Sequence, residues 1–113
     1  MTLGEKQKLF SRQIPRLLDK AFAMGFEVTL GDAYRDPRSH GAMGETIAYG
    51  AANSNHKMRL AIDLNLFVNG VFITTTEGHR PLGDWWEAQH PHNRWGGRFN
   101  DGNHYEMTLD PWR

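Results

Sequence analysis

Phe10, Ile14, Leu17, Leu18, Ala21 and Phe22 recur at the spacing of one helical face, and Gly25 follows as a terminator. Thr2 and Glu5 stand in a capping-box relation, so a helix is predicted over about residues 3 to 24. Pro15 falls inside it and removes one backbone hydrogen bond, so a kink or a split into two shorter helices is expected. Phe26, Val28 and Leu30 alternate with polar residues as in a half-buried strand. From Gly31 to Asn53 no period is sustained, and a long functional loop with a short helical turn is expected.

Leu60 to Phe67 resumes a strand pattern. Its pleat puts Leu60, Ile62, Leu64 and Leu66 on one side and Ala61, Asp63 and Asn65 on the other. Asn69-Gly70 predicts a two-residue hairpin turn into a return strand from Val71 to Thr75. Pro81 is placed to open a helix through Trp85, Trp86 and Ala88 that ends near Pro91. A last strand at about Asn103 to Leu109 sets His104 and Glu106 on one face and Tyr105, Met107 and Leu109 on the other. The fold class is therefore α+β, an antiparallel sheet flanked by helices.

At 113 residues the chain is expected to form one domain, residues 1–113, with a single modest core. Thirteen Lys and Arg balance thirteen Asp and Glu, so no basic excess points to nucleic acid or an anionic membrane. No segment approaches the roughly 20 apolar residues of a membrane span, and the N-terminus lacks the apolar run of a signal peptide. A monomer made in the cytoplasm is expected. With no cysteine, any metal site must be built from His, Asp and Glu.

His56, Asp63 and His104 supply such a set, with a further acid, Asp101, three residues before the last histidine. Two imidazoles and a carboxylate suit zinc with one position open for water, and the extra acid can serve as that water's base. Non-haem iron also takes two His and one carboxylate, but those sites usually hold the first two ligands two residues apart on one strand, whereas seven separate His56 from Asp63. Iron is the poorer fit. His40, His79, His90 and His92 are read as surface or hydrogen-bonded residues, and Trp85, Trp86 and Trp95 as core and cleft walls.

Ser54-Asn-His56-Lys-Met-Arg59-Leu-Ala61-Ile-Asp63 resembles the S-x-H-x-x-G-x-A-x-D motif of the VanY-type zinc peptidases, which include D-alanyl-D-alanine carboxypeptidases and phage L-alanyl-D-glutamate endolysins. Asp101-x-x-His104-Tyr105-Glu106 is similar to that family's second motif. Trp95-Gly96-Gly97-Arg98-Phe99 resembles the W-G-G run of the endolysin branch, and Ala33-Tyr34-Arg35 resembles its G-Y-R segment. The motifs occur in family order from Tyr34 to Glu106.

The resemblance implies a fold like that of hedgehog and D,D-peptidase domains and an enzyme that cuts stem peptides of bacterial peptidoglycan. It implies one zinc ion on His56, Asp63 and His104, Asp101 as general base and acid, and Arg35 as electrostatic stabiliser. Closest to hand is a phage or prophage L-alanyl-D-glutamate endolysin, released to the wall once the membrane is permeabilised. The alternatives are a D-alanyl-D-alanine carboxypeptidase or dipeptidase, and a silent zinc-containing module that binds the wall. Ser54 is expected to hold the His56 turn. Arg59 stands where the family motif has glycine, so the local turn differs or its side chain points outward. The stretch after Arg35 lacks the family's customary glutamine.

Overall fold

The computed structural model describes residues 1–36, 43 and 54–113. Most of the loop expected from Gly31 to Asn53, His40 included, lies outside the described residues. Helix α1 spans Leu3–Ala23 and begins with the predicted capping box, Glu5 N donating to Thr2 Oγ1 at 3.1 Å and Thr2 N to Glu5 Oε1 at 3.0 Å. Gly25 then takes φ +90°, a left-handed turn that ends the helix cheaply only at glycine. The split expected at Pro15 does not occur. Pro15 and Ser11 are both exposed, so water can satisfy the carbonyl that proline leaves without a partner. Buried Phe10, Leu17 and Ala21 hold the helix on either side of it.

The sheet contains β1 (Glu27–Leu30), β2 (Ala61–Val68), β3 (Val71–Phe72), β4 (Asn93–Trp95) and β5 (His104–Met107), all paired antiparallel. Its order is β1-β2-β5-β4, with β3 also on β2. Phe67 pairs with Glu27 of β1 on one flank and Phe72 of β3 on the other, so β3 and β5 share a flank of β2. Asn69 and Gly70 form the hairpin turn with positive φ at both residues.

Two strands end short of expectation and one strand was not expected. The return strand stops at Phe72, because after Ile73 N donates to Leu66 O (2.8 Å) the chain leaves the sheet through Thr74–Thr76 into a 3₁₀ turn at Glu77–His79. The last strand covers only His104–Met107, and β4 is a strand too short to show a period in the sequence. Helix α2 (Arg80–Gln89) carries Pro81 in its first turn as predicted.

Both helices pack on the apolar face of the sheet. Leu60, Leu64 and Leu66 are wholly buried and Ile62 nearly so, packed with Phe10, Leu17, Trp86, Trp95, Tyr105 and Met107. Trp86 Nε1 donates to Glu106 O at 3.0 Å and Trp95 Nε1 to Gly102 O at 2.7 Å, so both indoles fill the core with their N–H groups satisfied. Trp85 is partly buried against the same core. Asp63 and His104 project from the opposite face. No helix among the described residues is long and apolar enough to cross a membrane.

Candidate metal centre

Two of the three candidate ligands are set by strand register. Asp63 of β2 lies directly opposite His104 of β5, which brings the two side chains together on one face. His56 comes from a 3₁₀ turn, Asn55–Met58, just ahead of β2. Ser54 caps that turn by accepting from His56 N at 3.2 Å, as expected of it. The turn closes through Arg59 at φ 57° and ψ 34°, with Arg59 N donating to His56 O at 3.4 Å. The position where the family motif has glycine is thus left-handed here, and an arginine occupies it. Its guanidinium lies 4.0 Å from the centre of the Tyr34 ring.

His56 Nε2, Asp63 Oδ1 and His104 Nδ1 converge at 3.0, 3.1 and 3.3 Å from one another. Zinc bonds of about 2.0–2.1 Å give tetrahedral donor–donor edges of roughly 3.3 Å, so the triangle is within a few tenths of an ångström of one face of such a site. The three groups can hold a metal ion.

The outer partners settle which nitrogens face inward. His56 Nδ1 lies 2.8 Å from Ala33 O, which only accepts, so Nδ1 carries the proton and Nε2 presents its lone pair. His104 Nε2 lies 2.6 Å from Glu106 Oε1 in the same way, leaving Nδ1 to face the centre. Glu106 is held by Arg94 Nε at 2.5 Å. Two imidazole lone pairs and a carboxylate oxygen meeting in a buried space require a positive charge between them. Without metal a proton supplies it: burial alone would lower the pKa of His104, but the hydrogen bonds its ring donates to the Asp63 and Glu106 carboxylates outweigh that and raise the value to about 9. Burial likewise pulls Asp63 upward, and its bonds to His104 and His56 bring it down to about 2. This donor set fits zinc.

Asp101 arrives from the turn after β4. Asp101 N donates to Gly96 O at 2.8 Å and His104 N to Asp101 O at 3.1 Å, which sets the Asp101 carboxylate 3.9 Å from His104 Nδ1. The Gly96 position is crowded: a Cβ there would overlap the Asp101 carbonyl oxygen and lie 2.6 Å from His104 Cβ. Burial is the main force raising the Asp101 pKa, with the Asp63 charge adding to it, while His104, His56 and Arg35 pull the other way. A carboxyl shifted upward beside a metal centre is suited to taking and returning a proton.

Arg35 reaches the centre from the other side. Its Nε is 3.2 Å from Asp32 Oδ2, Nη1 donates to Ser54 Oγ at 3.1 Å, and Nη2 is 3.8 Å from Asp63 Oδ2. All five residues singled out in the sequence are therefore gathered in one place. Glu106 and Arg94 are additions; Glu106 closes the second motif and shares a face with His104, but neither gives it a role, and Arg94 has no signal in the sequence. Ala33 enters through its carbonyl, which no side-chain pattern can reveal. Among the remaining histidines, His79 is buried with Nδ1 2.9 Å from Tyr105 Oη, and His90 and His92 are half-buried in contacts with backbone.

The α+β domain thus carries a His-Asp-His group that could hold a metal ion, with a carboxylate beside it. Residues 48–107 match the D-alanyl-D-alanine carboxypeptidase family, and the chain belongs to it. Its members are zinc-dependent peptidases that act on peptidoglycan. A search of curated proteins gives no match to the chain.

Proposed function

We propose that the chain is a single catalytic domain, residues 1–113, that hydrolyses the L-alanyl-D-glutamate bond of peptidoglycan stem peptides, in the manner of a phage or prophage endolysin. The observation that carries the chemistry is the Asp101 carboxylate, 3.9 Å from the imidazole nitrogen that faces the three-donor centre. His56, Asp63 and His104 hold the metal in this proposal. Zinc, when bound, supplies a Lewis acid and brings the pKa of its water toward neutrality.

Asp101 takes a proton from the attacking water and returns it to the departing amine. Arg35 stabilises negative charge that develops on the carbonyl oxygen as water adds, a contribution made in the transition state rather than in substrate binding. It also steadies Asp63 and Ser54, so its loss would loosen the ligand frame. Glu106 and Ala33 fix the two imidazoles.

The description of the matched family favours a second reading, cleavage of a terminal D-alanine. Digestion of purified peptidoglycan followed by mass analysis of the new termini separates the two. A new D-Glu amine supports the endopeptidase, and released D-Ala instead refutes it. Asp101→Ala tests the base: the variant is expected to keep its zinc and lose cleavage by roughly 10²- to 10⁴-fold. Wild-type turnover in that variant would remove Asp101 from the mechanism.

A further inference from the structure

The flank of β2 that carries both β5 and β3 is not filled along its length. Leu64 N donates to Asn103 O (2.9 Å) near β5 and Ile73 N to Leu66 O (2.8 Å) near β3, and the two segments meet again where Gly102 packs on Thr76, a Cβ at Gly102 falling 2.6 Å from Thr76 Cα. A cleft of about 220 Å³ opens between them, with Thr74, Thr75 and Thr76 on the hairpin side and Asn100, Asp101 and Asn103 on the other. Asp101 therefore belongs both to the metal centre and to this cleft.

That shared residue fixes what the cleft can hold. In the hydrolysis proposed above, the C–N bond breaks, the acyl carbon gains the water oxygen, and the water's proton passes through Asp101 to the nitrogen. To receive it, the departing amine must come within about 2.6–3.2 Å of the Asp101 carboxylate. The departing residue then continues into the space beside Asp101.

The polar walls of that space are hydroxyls and carboxamides. No Lys or Arg is among the described residues that line it. His79, which also lines it, is buried, and burial holds its pKa at about 4, so it adds no positive charge near neutral pH. A free carboxylate here would give up water without gaining a cation and would face Asp101 as well, whereas a carboxamide finds both donors and acceptors.

We propose that this cleft is the subsite for the departing residue and selects one whose carboxyl group next to the new amine is amidated rather than free. The inference rests on the peptidase reading of the metal centre. Its test uses zinc-loaded protein and synthetic stem peptides in matched pairs, with the departing D-Glu carrying either an α-carboxylate or an α-carboxamide. A second pair with a D-Ala-D-Ala end, free or amidated, separates a wrong choice of bond from a wrong subsite.

The amide of the cleaved pair is expected to have a kcat/KM at least about tenfold higher, and Thr74→Arg, which puts a cation in the cleft, is expected to narrow the gap by improving the carboxylate substrate. Thr74 is exposed, so the change does not burden the core. Equal or better cleavage of the free carboxylate by the wild-type protein overturns the subsite while leaving the peptidase intact. An unchanged ratio in Thr74→Arg overturns the assignment to this cleft. Cleavage of none of the four peptides refutes the peptidase reading and the subsite with it.

Discussion

Replacing Gly96 by alanine should separate the Asp101 turn from the metal centre. The added Cβ would lie 2.6 Å from His104 Cβ, against an ordinary carbon–carbon contact of about 3.5–4.0 Å, so a displacement near 1 Å is needed. It would also overlap the Asp101 carbonyl oxygen, which is backbone and cannot rotate away. His104 is anchored by β-pairing to Asp63 and by Glu106, so the Asp101 turn is the part that yields. A misplacement of about 1 Å costs on the order of 10²-fold in rate, and overpacking a buried position costs about 1–3 kcal/mol of stability. Gly96→Ala is therefore expected to unfold at lower urea, retain zinc through its three ligands, and cleave stem peptide about 10²-fold more slowly in kcat. The assays are urea unfolding, metal analysis and single-turnover cleavage. Wild-type stability together with a wild-type rate would show that Gly96 does not hold the acid in place.

Three further outcomes follow from the geometry. Glu106→Gln keeps the shape but weakens the hold on His104, and zinc affinity measured by competition with a chelator should fall about 10- to 100-fold, so unchanged affinity would deny Glu106 that role. At the left-handed Arg59, glycine should give a protein about 1 kcal/mol more stable than alanine, since both lose the Tyr34 stack but only alanine keeps the backbone strain; alanine equal or better would refute it. Burial lowers the His79 pKa from 6.5 to about 4, so the unfolded chain binds the proton first as pH falls. Stability measured by urea unfolding should decline from about pH 6.5 toward pH 4, at up to about 1.4 kcal/mol per pH unit from this group, and His79→Gln should flatten that slope.

Much of the site could be read in the sequence because two of its three candidate ligands, Asp63 and His104, sit on strands whose alternation is regular. Leu60, Ile62, Leu64 and Leu66 marked the buried face of β2, and Asp63 necessarily fell on the other. β4 escaped notice because Asn93, Arg94 and Trp95 are too few to show a period, and what buries Asn93 and Trp95 is packing from distant parts of the chain. Pro15 misled in the opposite sense: its ring does end helices, but here the lost bond faces water and the core contacts lie on the other side. Arg59 showed a departure from glycine without showing its backbone angle, and the Tyr34 contact that accompanies it depends on a loop brought from another segment. The cleft beside Asp101 has no local signature at all, since its walls, Thr74–Thr76 and the Asn100–Asn103 turn, come from segments far apart in the chain.

The direct opposition of Asp63 and His104 across β2 and β5 has a consequence for how such a protein can diversify. Between the two residues the chain runs on through the rest of β2, the hairpin to β3, helix α2 and β4 before β5 returns His104 to Asp63. A change of length at the hairpin tip or in the Thr74–Thr76 segment can reshape the cleft and leave both ligand positions in register. A slip of β5 by a single residue, by contrast, would turn His104 toward the core and Tyr105 outward, losing the metal centre and the packing together. In the proposed enzyme, substrate choice is thus free to vary on a frame in which correct strand pairing and the candidate ligand geometry stand or fall as one.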